Sequence, residues 1–216
     1  MTPEELAKRH PYLFHVTLSG TSESIGKYGL LPTSKLLDLF EIKGAEREKI
    51  ERKRRQKAVV IEHSMHGKAV INDQKPMSET ALLKCLNDNL TPSDWLTLLN
   101  NRVFFWPNER RLKKFQNRID NQGVNLEVIK LDTLALAKKY AENIELSPIN
   151  SGNTCRKPTR RGLSTFTPLL DMSYADWSKK RGLIKRDNIA EVTIIDGVLD
   201  IGAYIVDVRQ VVAQAT

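Results

Sequence analysis

The chain has 216 residues, of which 40% are hydrophobic and 28% are charged, a composition typical of a globular protein. No apolar run approaches the roughly 20 residues that span a membrane, and the segment MTPEELAKRHPY lacks the apolar centre of a signal peptide. Cys85 and Cys155, the two cysteines, exclude a disulfide framework and a zinc site. We therefore expect a cytoplasmic protein without membrane contact or bound metal. The net charge of +8 favours a polyanionic partner such as nucleic acid.

The first predicted strand, LFHVTL at residues 13–18, carries polar side chains on one of its faces. Because side chains alternate across a strand, Leu13, His15 and Thr17 share one face, while the opposite face is entirely apolar. A face that becomes polar after its first residue is expected where a strand lines a cleft. His15 is therefore the first candidate for a functional side chain.

A strongly charged helix is predicted over residues 45–56, after one short helix that ends at Gly29 and another over residues 35–44. Its cationic end includes Arg54 and Arg55. Two interpretations stay open for this end: a solvated helix surface, or an arm that contacts phosphate groups.

The central part of the chain alternates strands and helices. The predicted elements are strands at 57–63 and within 65–77, helices at 78–89 and 91–101, a strand at 102–107 and a basic helix at 108–123. The strand RVFFWP contributes Phe104, Phe105 and Trp106, and the basic helix contributes Arg110 and Arg111.

Residues 145–172 follow a predicted strand at 124–131 and a helix at 132–143, and they show neither a helical nor a strand period. A long irregular segment inside a compact domain is often functional, and the alternative is a basic surface loop. Its polar and cationic candidates are Asn150, Ser151, Arg160 and Arg161. Two final strands are predicted at 189–201, which contains an Asp-Gly turn signal, and at 203–211.

Interleaved early elements and antiparallel final strands favour one α+β domain over residues 1–216 rather than a doubly wound parallel sheet. The chain contains neither a G-x-G-x-x-G fingerprint nor a P-loop, so the two commonest nucleotide-binding motifs are absent from it.

A histidine, an aromatic cluster and a glutamate lie on three separate predicted strands: His15, the residues 104–106, and Glu191. Each also has a structural interpretation. A strand histidine can be hydrogen-bonded within the protein, aromatic side chains commonly fill the core, and a glutamate at the start of a strand is usually solvated.

Three segments resemble, in the same order, parts of the DarT-like ADP-ribosyltransferases. LFHVTLSGTSESIGKYGLLPTS is similar to that family's first strand, of the type aromatic-His-x-Thr, and to the helix that follows it. VFFWP resembles its aromatic strand near the nicotinamide, and IAEVTIIDGVLDIGAYIVDV resembles its strand with the catalytic glutamate. The segments DQKP, DWLTLLNNRVFFW, LSPINSG and RRGLSTF also resemble an uncharacterised bacterial domain family.

The resemblance implies an ADP-ribosyltransferase-like fold with a split, mostly antiparallel sheet and flanking helices, and NAD as a substrate. Glu191 would be the catalytic carboxylate, and His15 would bind a ribose hydroxyl of NAD with support from Thr17. The aromatic strand would face the nicotinamide with Phe105 in preference to Phe104, and Trp106 would form the rim.

The resemblance also implies transfer of ADP-ribose to a macromolecule, with nucleic acid as the first expectation because the chain is basic. The pyrophosphate of NAD would be bound by the irregular segment through Asn150, Ser151, Arg160 or Arg161. Contacts to the acceptor would come from cationic side chains, namely Arg54, Arg55, Arg110, Arg111 and Arg160. The setting would be a toxin or an anti-phage factor with an antitoxin-like partner. The alternatives are a catalytically silent binding module of the same fold and an NAD glycohydrolase.

Overall fold

A computed structural model describes residues 1–119, 125–155, 158–180 and 189–212 of the chain. The helices are α1 (Pro3–Arg9), α2 (Ser22–Tyr28), α3 (Thr33–Leu39), α4 (Gly44–Glu51), α5 (Glu79–Leu83), α6 (Pro92–Asn100), α7 (Glu109–Ile119), α8 (Thr133–Tyr140) and α9 (Tyr174–Lys180). The strands are β1 (Tyr12–Leu18), β2 (Val59–His63), β3 (Gly67–Ile71), β4 (Arg102–Phe105), β5 (Leu126–Asp132), β6 (Ile144–Ser147), β7 (Thr167–Pro168), β8 (Glu191–Ile195) and β9 (Ile205–Val211).

The strands form two larger antiparallel sheets and one hairpin. One sheet has the order β1-β5-β9, the other has the order β4-β8-β6-β7, and β2 pairs with β3 in the hairpin. The two larger sheets meet where Phe14 and Trp106 exchange backbone hydrogen bonds of 3.0 and 2.8 Å. The predicted α+β class, with a mostly antiparallel sheet and flanking helices, is confirmed.

Strand β8 separates two groups of buried side chains because its residues alternate between its two faces. Val192 and Ile194 belong to the main core, together with Leu13 of β1 and Phe105 of β4. A second buried cluster contains Trp95 and Phe166, whose rings stack with centroids 5.7 Å apart. Glu191 therefore leaves β8 on the face opposite the main core.

Helix α6 begins as its sequence predicts. Thr91 and Asp94 form a reciprocal capping box, in which the Asp94 N–H donates to Thr91 Oγ1 and the Thr91 N–H donates to Asp94 Oδ2 at 2.8 Å. Pro92 occupies the first turn, where its missing N–H costs no hydrogen bond. The helix carries Trp95 into the second cluster, where it reaches the candidate site.

The charged helix predicted over residues 45–56 is shorter in the structure. Helix α4 ends at Glu51, so Arg54 and Arg55 follow the helix instead of ending it. The reason is tertiary: the buried guanidinium of Arg55 donates to the Ile50 carbonyl at 2.6 Å and to the Asn72 carbonyl at 3.0 Å. These bonds turn the chain back toward the hairpin.

The prediction that residues 145–172 lack secondary structure is wrong at both ends of the segment. Its first residues belong to β6, its later residues form β7, and Leu146 pairs with Thr167. Strands of four and two residues are too short to produce a recognisable alternation of polar and apolar side chains.

The predicted Asp-Gly turn is present, but it does not form a hairpin. Asp196 and Gly197 both have positive φ, 64° and 91°. Val198 then pairs with Leu30, and β9 joins β5 in the other sheet. Residues 120–123, the end of the predicted basic helix, lie outside the described residues.

Within the described ranges, no helix combines the length and the apolar character that crossing a membrane requires.

Candidate functional site

The three strands that carry the sequence candidates are neighbours in the structure. Strand β1 touches β4 through the Phe14 and Trp106 pair, and β4 pairs along β8 with Phe104 opposite Thr193. His15, the aromatic strand and Glu191 therefore come from adjacent strands at the junction of the two sheets. Sequence spacing alone cannot establish this adjacency, because more than eighty residues separate each strand from the next along the chain.

The His15 imidazole reaches from β1 to the backbone of β4. Its Nδ1 lies 3.0 Å from the Phe104 carbonyl oxygen, which can only accept, so Nδ1 carries the proton. Burial lowers the pKa of His15 below its usual 6.5, and the hydrogen bond to Phe104 opposes that shift only in part. His15 is therefore neutral at pH 7, and its Nε2 is a hydrogen-bond acceptor.

Glu191 is 6% exposed, and among the described residues Ser151 is the one that donates hydrogen bonds to its carboxylate. Its Oε2 accepts hydrogen bonds from the Ser151 N–H at 3.1 Å and from Ser151 Oγ at 2.6 Å. Burial raises the pKa of Glu191 to about 7, although the bonds from Ser151 and the charges of Arg161 and Arg111 act in the opposite direction. Both protonation states are therefore populated near neutral pH.

Arg161 fixes the backbone that presents Ser151 to Glu191. Its guanidinium donates to the carbonyls of Ser151 at 2.8 Å, Asn153 at 3.0 Å and Thr159 at 3.1 Å. The residue is 2% exposed, and burial lowers its pKa. Trp95 adds a longer bond of 3.4 Å from Nε1 to the Ser151 carbonyl.

The hydrogen-bond partners of Arg161 in the structure differ from the expected partner, the pyrophosphate of NAD. Its donors are directed at three backbone carbonyls of its own segment, so it acts on the site through Ser151. Asn150, the neighbouring candidate, is half-buried.

The aromatic strand distributes its side chains between different clusters. Phe105 is buried in the main core, and its ring meets the His15 imidazole edge-on at a centroid distance of 5.9 Å. Phe104 is half-buried and packs against the second cluster. Trp106 packs against Phe14 and lies 5.4 Å from the ring of Phe115.

The loop after β1 is fixed by Glu127, a residue that sequence reasoning missed. Its carboxylate accepts hydrogen bonds of 2.8 Å from the N–H groups of Gly20 and Ser22, and one of 2.7 Å from Gln210. Burial alone would raise the pKa of Glu127, but these donors outweigh it and hold the pKa at about 2. The available signal was a carboxylate inside the apolar strand LEVIKL.

Thr17 lies opposite Glu127 in the β1–β5 pairing and is buried. Its hydroxyl is 2.6 Å from the Thr21 hydroxyl, which itself donates to the Leu18 carbonyl at 2.8 Å. Thr17 therefore holds the same loop as Glu127.

The cationic candidates occupy three different environments. Arg55 is buried against backbone carbonyls and Asn100, and this burial lowers its pKa to about 10. Arg54 donates to the Lys75 carbonyl at 3.3 Å, and exposed Arg160 lies 3.5 Å from the Lys84 carbonyl. Two further exposed arginines begin α7, and one of them, Arg111, contributes to the electrostatics of Glu191.

Two surface cavities lie away from these residues. One, of about 270 Å³, is lined by the β2–β3 turn, and the other, of about 370 Å³, is lined by α1 and by the starts of β1 and α8. Neither cavity is lined by His15 or Glu191. The part of the chain that the structure describes contains no group of three or more residues suited to hold a metal ion.

The fold and site define an α+β protein in which two antiparallel sheets meet beside a buried carboxylate. Residues 11–205 match the model of the family of unknown function DUF7002, and the chain belongs to that family. The expected membership in an uncharacterised domain family is thereby confirmed. No curated protein matches the sequence.

Proposed function

We propose that this protein is an NAD-dependent ADP-ribosyltransferase that modifies a nucleic-acid acceptor. The observation that supports the proposal is the adjacency of β1, β4 and β8. Strand β1 carries a neutral histidine, β4 carries aromatic side chains, and β8 carries a buried glutamate with a pKa of about 7. A buried ionisable group with a strongly shifted pKa is a candidate for a functional site.

The chemistry requires one carboxylate in two roles. The bond between nicotinamide and ribose C1′ breaks, its electron pair leaves with nicotinamide, and positive charge develops on the ribose. The ionised Glu191 stabilises that charge. The acceptor nucleophile then bonds to C1′, and its proton passes to Glu191, whose pKa near 7 suits a general base.

The neutral His15 orients the ribose. Its Nδ1–H is occupied by the Phe104 carbonyl, so the ring cannot rotate freely and Nε2 stays available as an acceptor. A ribose hydroxyl is the donor that this nitrogen would bind. The edge-on contact with Phe105 holds the plane of the imidazole.

Substrate access requires movement of the Ser151 segment. Glu191 is 6% exposed, and Ser151 covers Oε2, to which it donates two hydrogen bonds. A ribose hydroxyl can replace the Ser151 hydroxyl as a donor to Oε2, so opening compensates one of the two hydrogen bonds from Ser151 and breaks the other.

Arg110 and Arg111 supply the contact to the acceptor. Both are exposed at the start of α7, directly after the aromatic strand, and the charge of Arg111 acts on Glu191. Arginine is well suited to phosphate because its donors match the geometry of the phosphate oxygens. A nucleic acid bound there would present its bases toward the carboxylate, and its modification would fit a toxin or anti-phage role.

Incubation of the protein with labelled NAD and DNA or RNA oligonucleotides tests the proposal. We expect label to be transferred to an oligonucleotide, Glu191→Gln to lower the rate by at least about a hundredfold, and His15→Ala to weaken NAD binding in calorimetry. Exposed Glu142→Gln is the matched control and should keep full activity. Unchanged turnover in a folded Glu191→Gln variant would exclude this mechanism.

A binding module without catalysis is the second candidate, and the coverage of Glu191 by Ser151 favours it. The same incubation separates the alternatives. The module binds oligonucleotides and releases no nicotinamide, whereas an NAD glycohydrolase releases nicotinamide and leaves the oligonucleotide unlabelled.

A further inference from the structure

Strand β9 is the outer strand of the β1-β5-β9 sheet, and one of its edges has no partner strand in the described ranges. Val206 is 52% exposed and Val208 is 38% exposed. The unpaired backbone groups of an edge strand form a template for another strand, and exposed β-branched residues strengthen such pairing.

Charges on an edge strand normally prevent association. Here, however, the two charged residues of β9, Asp207 and Arg209, have opposite signs and lie on either side of Val208. In an antiparallel pair of identical strands centred on Val208, Asp207 of each copy stands directly opposite Arg209 of the other. Directly opposed charges of opposite sign stabilise a strand pair, and like charges destabilise it.

The register is selective because neighbouring registers are penalised. Centring the pair on Arg209 places the two arginines opposite each other, and centring it on Asp207 opposes the two aspartates. Only the Val208 register among these three pairs every charge with its complement. It also places the two exposed Val208 side chains against each other at the symmetry axis.

The existing contacts of Arg209 are compatible with a second carboxylate. Its Nη1 lies 3.4 Å from Glu109 Oε1 of α7, its Nη2 is buried without a hydrogen-bond partner among the described residues, and the guanidinium also carries an Nε–H donor. Asp207 and Arg209 are two residues apart and therefore share one face of the sheet. A two-fold axis perpendicular to the sheet keeps that face on the same side in both copies.

We infer that a second copy of this chain pairs with β9, antiparallel and centred on Val208, and extends the three-stranded sheet across a two-fold axis. In this isologous contact, β9 of the second copy forms hydrogen bonds with the unpaired backbone groups of β9 in the first. The inference is independent of the proposed activity, because it rests on the edge, the exposure and the charge order of β9.

Sedimentation equilibrium over a range of protein concentrations tests the inference. We expect reversible dimers of the wild-type chain, a dissociation constant raised about tenfold or more in Asp207→Arg and in Arg209→Asp, and recovery in the double variant that exchanges the two charges. Val208→Lys, which opposes two ammonium groups at the axis, should be monomeric, whereas Val208→Thr should remain dimeric.

Circular dichroism and thermal melting of each variant verify that it is folded. A wild-type chain that stays monomeric at every concentration overturns the inference. So does a dimer whose dissociation constant is the same in the single charge variants, or a charge-exchange variant that stays as weak as the single ones.

Discussion

At the scale of single residues, the pKa values of two buried glutamates are shifted in opposite directions. Glu127 receives hydrogen bonds from two backbone N–H groups and from Gln210, which hold its pKa at about 2. Among the described residues, Ser151 is the hydrogen-bond donor to Glu191, and burial raises the pKa of Glu191 to about 7. Burial acts to raise the pKa of both carboxyls; at Glu127 the hydrogen bonds outweigh that effect, and at Glu191 they do not.

The raised pKa of Glu191 predicts that folding stability falls as the pH rises. The unfolded chain ionises this carboxyl near its ordinary value of 4.5, while the folded chain retains the proton until about pH 7. The stability is therefore complete below pH 4.5 and decreases up to pH 7, by about 3 kcal/mol at most. Urea unfolding at pH 5 and pH 8 should show this loss in the wild type and its absence in Glu191→Gln. Parallel pH profiles of the two proteins would contradict the assignment.

The depressed pKa of Glu127 predicts the opposite slope. Its contribution to stability is complete above the ordinary value of 4.5 and is lost as the pH falls toward 2. We expect Glu127→Gln to lower the free energy of unfolding at pH 7 by about 3 kcal/mol and to reduce the loss of stability in acid. Denaturant titrations at pH 7 and pH 3 measure both effects, and an undiminished acid transition in the variant would argue against this role.

At the scale of elements, the segment between β6 and β7 is an ordered part of the site. Arg161 binds three of its carbonyls, and Ser151 connects it to β8. A buried guanidinium is stable only when its donors are satisfied, so the same bonds that accommodate the charge also position Ser151. Glu191 is consequently coupled to a residue that does not touch it.

Removal of the Arg161 guanidinium should therefore change the titration of Glu191. In Arg161→Lys, fewer carbonyls are satisfied and Ser151 is held less firmly, so we expect a loss of about 2 kcal/mol of stability and a higher pKa of Glu191. Carbon-13 NMR of the labelled carboxyl measures that pKa without any substrate. Exposed Arg160→Lys is the matched control, and an unchanged pKa of Glu191 in folded Arg161→Lys would exclude the coupling.

At the scale of the whole molecule, the net charge of +8 is divided between buried and exposed cations. Arg55 and Arg161 are buried against protein carbonyls, whereas Arg110 and Arg111 are exposed at the start of α7. The exposed cations alone can release counterions from a polyanion when it binds. The net charge of the chain therefore overstates the number of cations that are available to bind nucleic acid.

Salt dependence measures that capacity directly. If α7 contacts phosphates, replacing Arg110 and Arg111 with glutamate should weaken oligonucleotide binding and reduce the slope of log affinity against log salt by about 2. Fluorescence anisotropy at several salt concentrations gives the slope. The same double charge reversal at Lys43 and Lys49, which are exposed at α4, is the control. Equal effects of the two double variants would show that only net charge matters.

Local patterns in the sequence determined the first strand, the capped start of α6 and the α+β class. These features depend on neighbours within a few residues: alternation along LFHVTL, and the Thr-Pro-x-Asp cap. The candidate positions His15 and Glu191 were also visible, because each interrupts an apolar strand with an ionisable group. That the strands carrying them both lie beside β4, at the junction of the two sheets, was not visible.

Tertiary structure alone decided the short strands β6 and β7, the end of α4, and the roles of Glu127 and Arg161. Most of these depend on partners well separated along the chain, such as Gly20 for Glu127 and Asn72 for Arg55, whereas Arg161 binds carbonyls of its own irregular segment. A local pattern reports the burial and conformational preference of a residue, but a hydrogen bond between distant segments depends on where the chain returns. The sequence could therefore indicate which strands contain ionisable side chains, and only the folded chain decides which groups surround each of them and in which direction its pKa is shifted.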